Sequence, residues 1–279
     1  MKHEEGFLSE NSDEHIYYRC WLPEGELKAV LLVVHGLAEH CGRYMNLVDR
    51  FVPSGYGIYA FDLPGHGKSY GKRVFVNRFE DYTKTLDHFL DKVRHLQHEA
   101  PVILVGHSMG SLVSAVFLTN GQEKFAGAVL SGIGAVKVPD SISSATIFAG
   151  KIFSVLMPKI GLIGLEVDGV SRDPSVVKAY VEDPLVHTGK TTARLAAEIL
   201  RAMQRFPGDA AQITLPILLL QGGADKLVDP VGAQMLFDTA GSSDKTLKIY
   251  EGLYHEIFNE PERNQVFDDM EEWLDNHLK

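Results

Sequence analysis

Gly106-His107-Ser108-Met109-Gly110 sets a serine between two glycines, directly after the apolar run 102–105. A G-x-S-x-G elbow needs small neighbours because the serine sits on a strained strand-to-helix turn, where larger side chains would collide with both elements. The helix that follows aims free amides and its positive dipole end at the Ser108 hydroxyl, where negative charge develops as a carbonyl is attacked. That is acyl-transfer chemistry by an activated serine. It requires a base to take the hydroxyl proton and an acid to hold the tautomer of that base.

On a strand-elbow-helix scaffold these groups follow in the chain order Ser, then Asp or Glu, then His. Only His255 and His277 come after the late strands, and His277 belongs to the terminal helical segment. His255, in the loop Glu251-Gly252-Leu253-Tyr254-His255-Glu256, is the expected base. The acid should lie in Gln221-Gly222-Gly223-Ala224-Asp225-Lys226-Leu227-Val228-Asp229-Pro230, where two aspartates compete. Asp225 lies near the strand end after two glycines, whereas Asp229 precedes Pro230 as the N-cap of a helix would, and this favours Asp225.

The tetrahedral oxyanion needs donors fixed before reaction, and backbone amides suit that task. One is expected from Met109, directly after the nucleophile, and the other from Leu37 in His35-Gly36-Leu37-Ala38-Glu39-His40. As metal ligands, His35, Glu39 and His40 match neither H-E-x-x-H nor H-x-x-E-H spacing. Gly67-Lys68-Ser69 resembles the end of a phosphate-binding loop, but the first glycine of that motif would fall at Asp62. No metal or other cofactor is expected.

Strands alternating with helical segments must position these groups. Residues 2–9 and 14–22 flank the turn-prone Glu10-Asn11-Ser12-Asp13, which predicts an opening hairpin. Strands are expected at 29–34, 56–61, 102–105, 125–130, 217–220 and 247–250, with helices from about Arg43 to Val52, through Phe79 to Val93, after Ser111 and from about Pro261 to Leu278. This alternation implies right-handed crossovers and a mostly parallel sheet, an α/β fold. The pattern breaks at Val136. Ala145, Phe148, Ala149, Ile152, Phe153 and Leu156 fall on one helical stripe in a segment without an acidic residue from Ser141 to Leu165. A helical insertion there would lie above the strand ends, where active loops gather. The expected division is a core of 1–136 and 207–279 with a helical cap of 137–206.

At 279 residues, with 45% hydrophobic and 23% charged residues, the chain has an ordinary globular composition. Its net charge of −10 argues against nucleic acid, whose phosphates demand basic patches. Cys20 and Cys41 are too few for a disulfide scaffold, so a reducing cytoplasm is the default expectation. The polar Met1-Lys2-His3-Glu4-Glu5-Gly6 leads into no apolar signal region. No apolar run reaches the ~18 residues of a membrane span.

Together, Gly106-His107-Ser108-Met109-Gly110, His35-Gly36-x-x-Glu39-His40-x-x-Arg43-Tyr44, Gly65-His66-Gly67-x-Ser69 and Tyr254-His255 resemble the monoacylglycerol lipases and related lysophospholipases, bacterial members most closely. These are α/β-hydrolases with a mobile cap. Cap segments such as Ser171-Arg172-Asp173-Pro174 and Tyr180-Val181-Glu182-Asp183-Pro184-Leu185 share the resemblance. It implies hydrolysis of a monoacylglycerol to glycerol and a fatty acid, with Ser108, Asp225 and His255 as triad and Leu37 and Met109 as oxyanion hole. It also implies that Glu39 and Arg43 line the polar, glycerol side of the pocket, and His107 and Tyr180 either face it or are packing residues; a salt bridge that only orients the loop is the alternative for the charged pair. Two departures stand out. Phe258 replaces a second histidine found in some animal members, and Pro64 stands where many relatives have arginine.

The apolar cap would hold one acyl chain and suits transient contact with a lipid surface, which implies a cytoplasmic, membrane-peripheral protein. The rival readings are a lysophospholipase or broad carboxylesterase using the same triad, and a non-catalytic ligand-binding member of the fold.

Overall fold

A computed structural model of the chain describes residues 1–8, 14–138 and 143–278. Strands β1 (Lys2–Phe7) and β2 (Tyr17–Leu22) form the antiparallel opening pair, and its expected turn at Glu10–Asp13 lies outside the described residues. The core continues with β3 (Ala29–Val34), α1 (Met45–Phe51), β4 (Tyr56–Phe61), α2 (Glu80–Leu96), β5 (Val102–His107), α3 (Met109–Gly121) and β6 (Gly127–Ser131). An insertion then carries α4 (Ser144–Leu156), β7 (Gly161–Gly164), α5 (Pro174–Glu182), β8 (Lys190–Thr192) and α6 (Ala193–Asp209). The core resumes with β9 (Ile217–Gly222), α7 (Val231–Thr239), β10 (Lys245–Tyr250) and α8 (Arg263–His277).

The eight core strands form one sheet in the order β1-β2-β4-β3-β5-β6-β9-β10, parallel from β4 to β10. This is the α/β-hydrolase fold.

Both faces of the central strands are covered, so they read as continuous apolar runs rather than alternating ones. Register still sorts them. Val33, Val105, Val129 and Leu218 pair in a row and pack on one face with Leu47 and Phe51 of α1 and Phe267 and Trp273 of α8. Val34, Leu130 and Leu219, one residue on, turn to the opposite face with Leu86 and Phe89 of α2, Leu112 of α3 and Leu236 of α7.

Several boundaries differ from expectation. The helix expected from Arg43 starts at Met45, because Cys41–Arg43 form a 3-10 turn whose entry is capped by the His40 ring. The insertion is not wholly helical, since β7 and β8 pair antiparallel across a bulge, where a glycine-bounded apolar run meets Thr191 and Thr192. The stripe on α4 does form a helix, yet Phe148 and Leu156 are 67% and 74% exposed.

The insertion is fastened to the core at separate points. His40 Nε2 bonds Asp183 Oδ2 at 2.9 Å, and the His187 amide donates to the Ala38 carbonyl at 2.8 Å. Thr192 Oγ1 donates to the Val74 carbonyl at 2.6 Å, and the Glu256 amide to that of Val170 at 2.8 Å.

Candidate active site

Ser108 lies between β5 and α3 with φ 53° and ψ −123°, a conformation that costs energy outside glycine and lifts the side chain off both elements. Its neighbours explain the two glycines. A Cβ on Gly110 would stand 2.0 Å from the Val34 carbonyl oxygen, and one on Gly106 would stand 2.8 Å from Ser111 Cα. The turn is held by the Ser108 amide, which donates to the Ser131 carbonyl at 2.9 Å, while the Ser108 carbonyl accepts from Ser111 and Leu112.

The loops after β9 and β10 bring the other two expected members together. His255 Nδ1 donates to Asp225 Oδ2 at 2.7 Å, with both side chains buried. Asp225 also accepts from the Leu227 and Val228 amides on Oδ1 and from Gln221 Nε2 on Oδ2. Burial pushes the Asp225 carboxyl up, but His255 and these donors outweigh it and hold it below its usual range. For His255, burial acts downward, and the Asp225 charge and hydrogen bond overcome it, so the imidazole sits above its ordinary value.

The rival residues have other partners. Asp229 accepts from the Val231 amide at the start of α7 and pairs with Lys137. His277 bonds Asp244 and the Trp273 carbonyl.

Gly36 packs against the elbow, since a Cβ there would come within 3.1 Å of Ser108 Cβ. The turn after it is tight, with Ala38 at φ 67°. His35 braces the turn: its Nδ1 donates to the Gly36 carbonyl at 2.7 Å and its Nε2 accepts from the Leu63 amide at 2.9 Å. Burial pushes His35 down to about 3, and with both nitrogens engaged this side chain has no lone pair left for a metal. The Leu37 and Met109 amides have no hydrogen-bond partner among the described residues, and both residues line the cavity that Ser108 and His255 share.

Glu39 and Arg43 belong to a larger buried cluster. Arg43 Nη1 donates to Glu39 Oε2 at 3.0 Å, and Nη1 and Nη2 grip both oxygens of Glu256 at 2.6 and 2.8 Å. Glu39 Oε1 accepts from the Gly36 amide and the Tyr44 hydroxyl, and the Arg43 guanidinium lies 4.4 Å over the Tyr180 ring. Burial pushes the Glu39 carboxyl up, against the pull of Arg43. Burial acts upward on Glu256 as well, but there Arg43 prevails and holds it below the usual carboxylate range.

His107 lies 4.9 Å ring to ring from His255 and shares a hydrogen bond with Ser131 Oγ. Burial pushes it down to about 3, so it packs as a neutral ring. Phe258 lies tilted 6.5 Å from His107 and stacks on Phe267 instead of meeting the cavity.

These groups surround a cavity of about 710 Å³. Ser108, His255, Glu39, His107 and Tyr180 line one part of it, whereas Arg43 does not reach its wall. Leu112 of the elbow helix, Ile147 and Phe153 of α4, and Ile199, Leu200 and Met203 of α6 make most of the rest apolar, with Lys137, Lys151, Arg201 and Gln204 also on the wall.

Two residues here were not anticipated as functional, Gln221 and Glu256. Gln221 donates to Asp225 and accepts from the Gly134 amide, and its only signal in sequence is an amide closing the apolar run Ile217-Leu218-Leu219-Leu220.

A family model described as serine aminopeptidase, S33, matches residues 25–262. A monoacylglycerol lipase of Mycolicibacterium smegmatis is 38% identical over 263 residues, covering 94% of both chains. A monoglyceride lipase of Rattus norvegicus is 35% identical, covering 96% of this chain and 89% of its own. The solved structure of a monoacylglycerol lipase from Paleococcus ferrophilus superposes with a TM-score of 0.83 at 34% identity, covering 94% of this chain and 99% of that one.

Proposed function

The chain belongs to the serine aminopeptidase, S33, family of α/β-hydrolases, and from that premise we propose that it hydrolyses monoacylglycerols to glycerol and a free fatty acid through an acyl-enzyme. One observation carries the reading: the elbow serine and the Asp225–His255 pair open on a single apolar cavity of about 710 Å³, a volume typical of pockets that enclose small ligands.

In this reading Ser108 Oγ attacks the ester carbonyl while His255 Nε2 takes its proton. Asp225, bonded to Nδ1, keeps that nitrogen protonated and stabilises the imidazolium. The Leu37 and Met109 amides receive the oxyanion, and because no other acceptor holds them they need no rearrangement to do so. His255 then returns the proton to the leaving glycerol oxygen, and water repeats the sequence on the acyl-enzyme. The acyl chain lies among Leu112, Phe153, Ile199 and Met203, and the glycerol lies toward Glu39, His107 and Tyr180. Residues 137–206 act as the cap over this cavity. A fluorophosphonate probe should label Ser108, and monoacylglycerol should slow the labelling. Labelling elsewhere, or none, defeats the mechanism.

We further propose that the cap touches lipid surfaces and that the protein works in the cytoplasm, peripheral to membrane. Phe148, Val155, Leu156, Met157 and Ile163 are exposed together in a segment whose only charges are Lys151 and Lys159, a composition that suits the interface of a bilayer. Among the described residues no helix is long and apolar enough to cross a membrane. Flotation with neutral phospholipid vesicles should carry the protein upward, and a protein left at the bottom of the gradient contradicts the contact.

A further inference from the structure

The part of the cavity wall beside His255 carries a charge arrangement hostile to anions. Arg43 faces two carboxylates, Glu39 and Glu256, and all three side chains are nine-tenths or more buried. Glu256 engages both guanidinium nitrogens, at 2.6 and 2.8 Å, in the fork geometry that makes such pairs strong. It is itself locked, because Asn259 Nδ2 donates to Oε2 at 2.9 Å and its own amide donates to Val170. Glu39 and Glu256 reach the cavity wall and Arg43 does not, so an entering group meets the carboxylates and not the cation. Of the other cations on the wall, Lys137 pairs with Asp229, Arg201 pairs with Glu198, and Lys151 is an exposed residue of α4 in the insertion.

We infer that Glu256 is a specificity-determining residue: by neutralising Arg43 it leaves the alcohol end of the cavity without an available positive charge, so neutral glycerol esters are accepted and the same esters bearing a phosphate are rejected. This rests on the monoacylglycerol reading and deepens it. Glycerol hydroxyls can donate to carboxylates, whereas a phosphate offers mainly acceptors and negative charge, which must be stripped of water to enter and then finds no cation. Rejection by unpaired like charge is an efficient form of discrimination.

The test compares kcat/KM for an oleoyl glycerol and the matching oleoyl glycerol phosphate, with the phosphocholine ester as a third substrate, for the wild-type chain, Glu256→Gln and Glu256→Asp. The wild type should prefer the neutral ester by roughly a hundredfold, with the zwitterion between the two. Glu256→Gln keeps the shape while releasing part of the Arg43 charge, and should narrow that preference about tenfold. Glu256→Asp keeps the charge and should stay near wild type. An unchanged ratio in a Gln variant that melts like wild type overturns the inference. So does a wild type that cleaves the neutral and phosphate esters equally, or one that ranks head groups by bulk instead of charge, a comparison that needs no variant to fold. Wild type with no activity on oleoyl glycerol is a different result, because it removes the monoacylglycerol reading and this inference with it.

Discussion

At the scale of single residues, the account turns on two aspartates four positions apart. Asp225 meets His255, and Asp229 meets a helix start and Lys137. Asp225→Asn should therefore lower kcat by roughly 10⁴-fold, through loss of the correct histidine tautomer, while Asp229→Asn should change it little. Steady-state rates of the two variants check this, and equal losses would contradict it. The histidine also sets the pH response. Its raised value means the proton leaves later than from an ordinary imidazole, so kcat/KM should climb with pH along a limb centred above about 6.5. Glu256 adds to that upward pull, so Glu256→Gln should move the limb to lower pH. The same shift has a sign for stability: His255 stabilises the fold below its unfolded value, and that contribution disappears as pH rises through the folded one. Ser108, Asp225 and His255 were legible because an elbow motif and a strand order locate them. Glu256 was not, because a glutamate after a loop histidine reads as solvated, and the arginine that buries it lies 213 residues earlier.

At the scale of elements, the elbow works because α3 starts against the strand end. Gly110→Ala would drive a methyl group into the Val34 carbonyl, and should destabilise the fold by about 3 kcal/mol, read as a lower midpoint in chemical denaturation. A midpoint within error of wild type would contradict that packing. The core strands were legible as mostly apolar runs of four to six residues, whereas their register was not, because strands buried on both faces carry no alternation to set it. The insertion was less so. Gly161-Leu162-Ile163-Gly164 is too short and glycine-bounded to announce a strand, and it becomes one only by pairing with residues 190–192, far along the chain. An apolar stripe such as that of α4 also says only that something apolar should cover it. Here Phe153 and Ala149 line the cavity while Phe148 and Leu156 face outward. Phe148→Asp with Leu156→Asp should abolish flotation with neutral vesicles and leave hydrolysis of a dispersed short-chain ester intact. Retained flotation would place the lipid contact elsewhere.

At the scale of the whole molecule, the net charge of −10 works against contact between α4 and anionic lipid. Vesicles rich in anionic lipid should bind the protein less well than neutral ones at low salt, and the difference should fade as salt screens the repulsion. Stronger binding to anionic vesicles would point to a basic docking site instead. The sheet, the elbow and the insertion converge on one cavity, with Ser108, His255 and Glu39 at one part of its wall and mostly apolar side chains over the rest. The central claim is that this cavity admits one acyl chain and delivers its ester to Ser108. Its most direct test is fatty-acid release from mono-, di- and triacylglycerols of matched chain length, measured for the wild type and for Ser108→Ala. The account predicts strong preference for the monoacyl ester and a loss of at least about 10³-fold in the variant. Comparable rates on all three, or activity that survives the substitution, would contradict it.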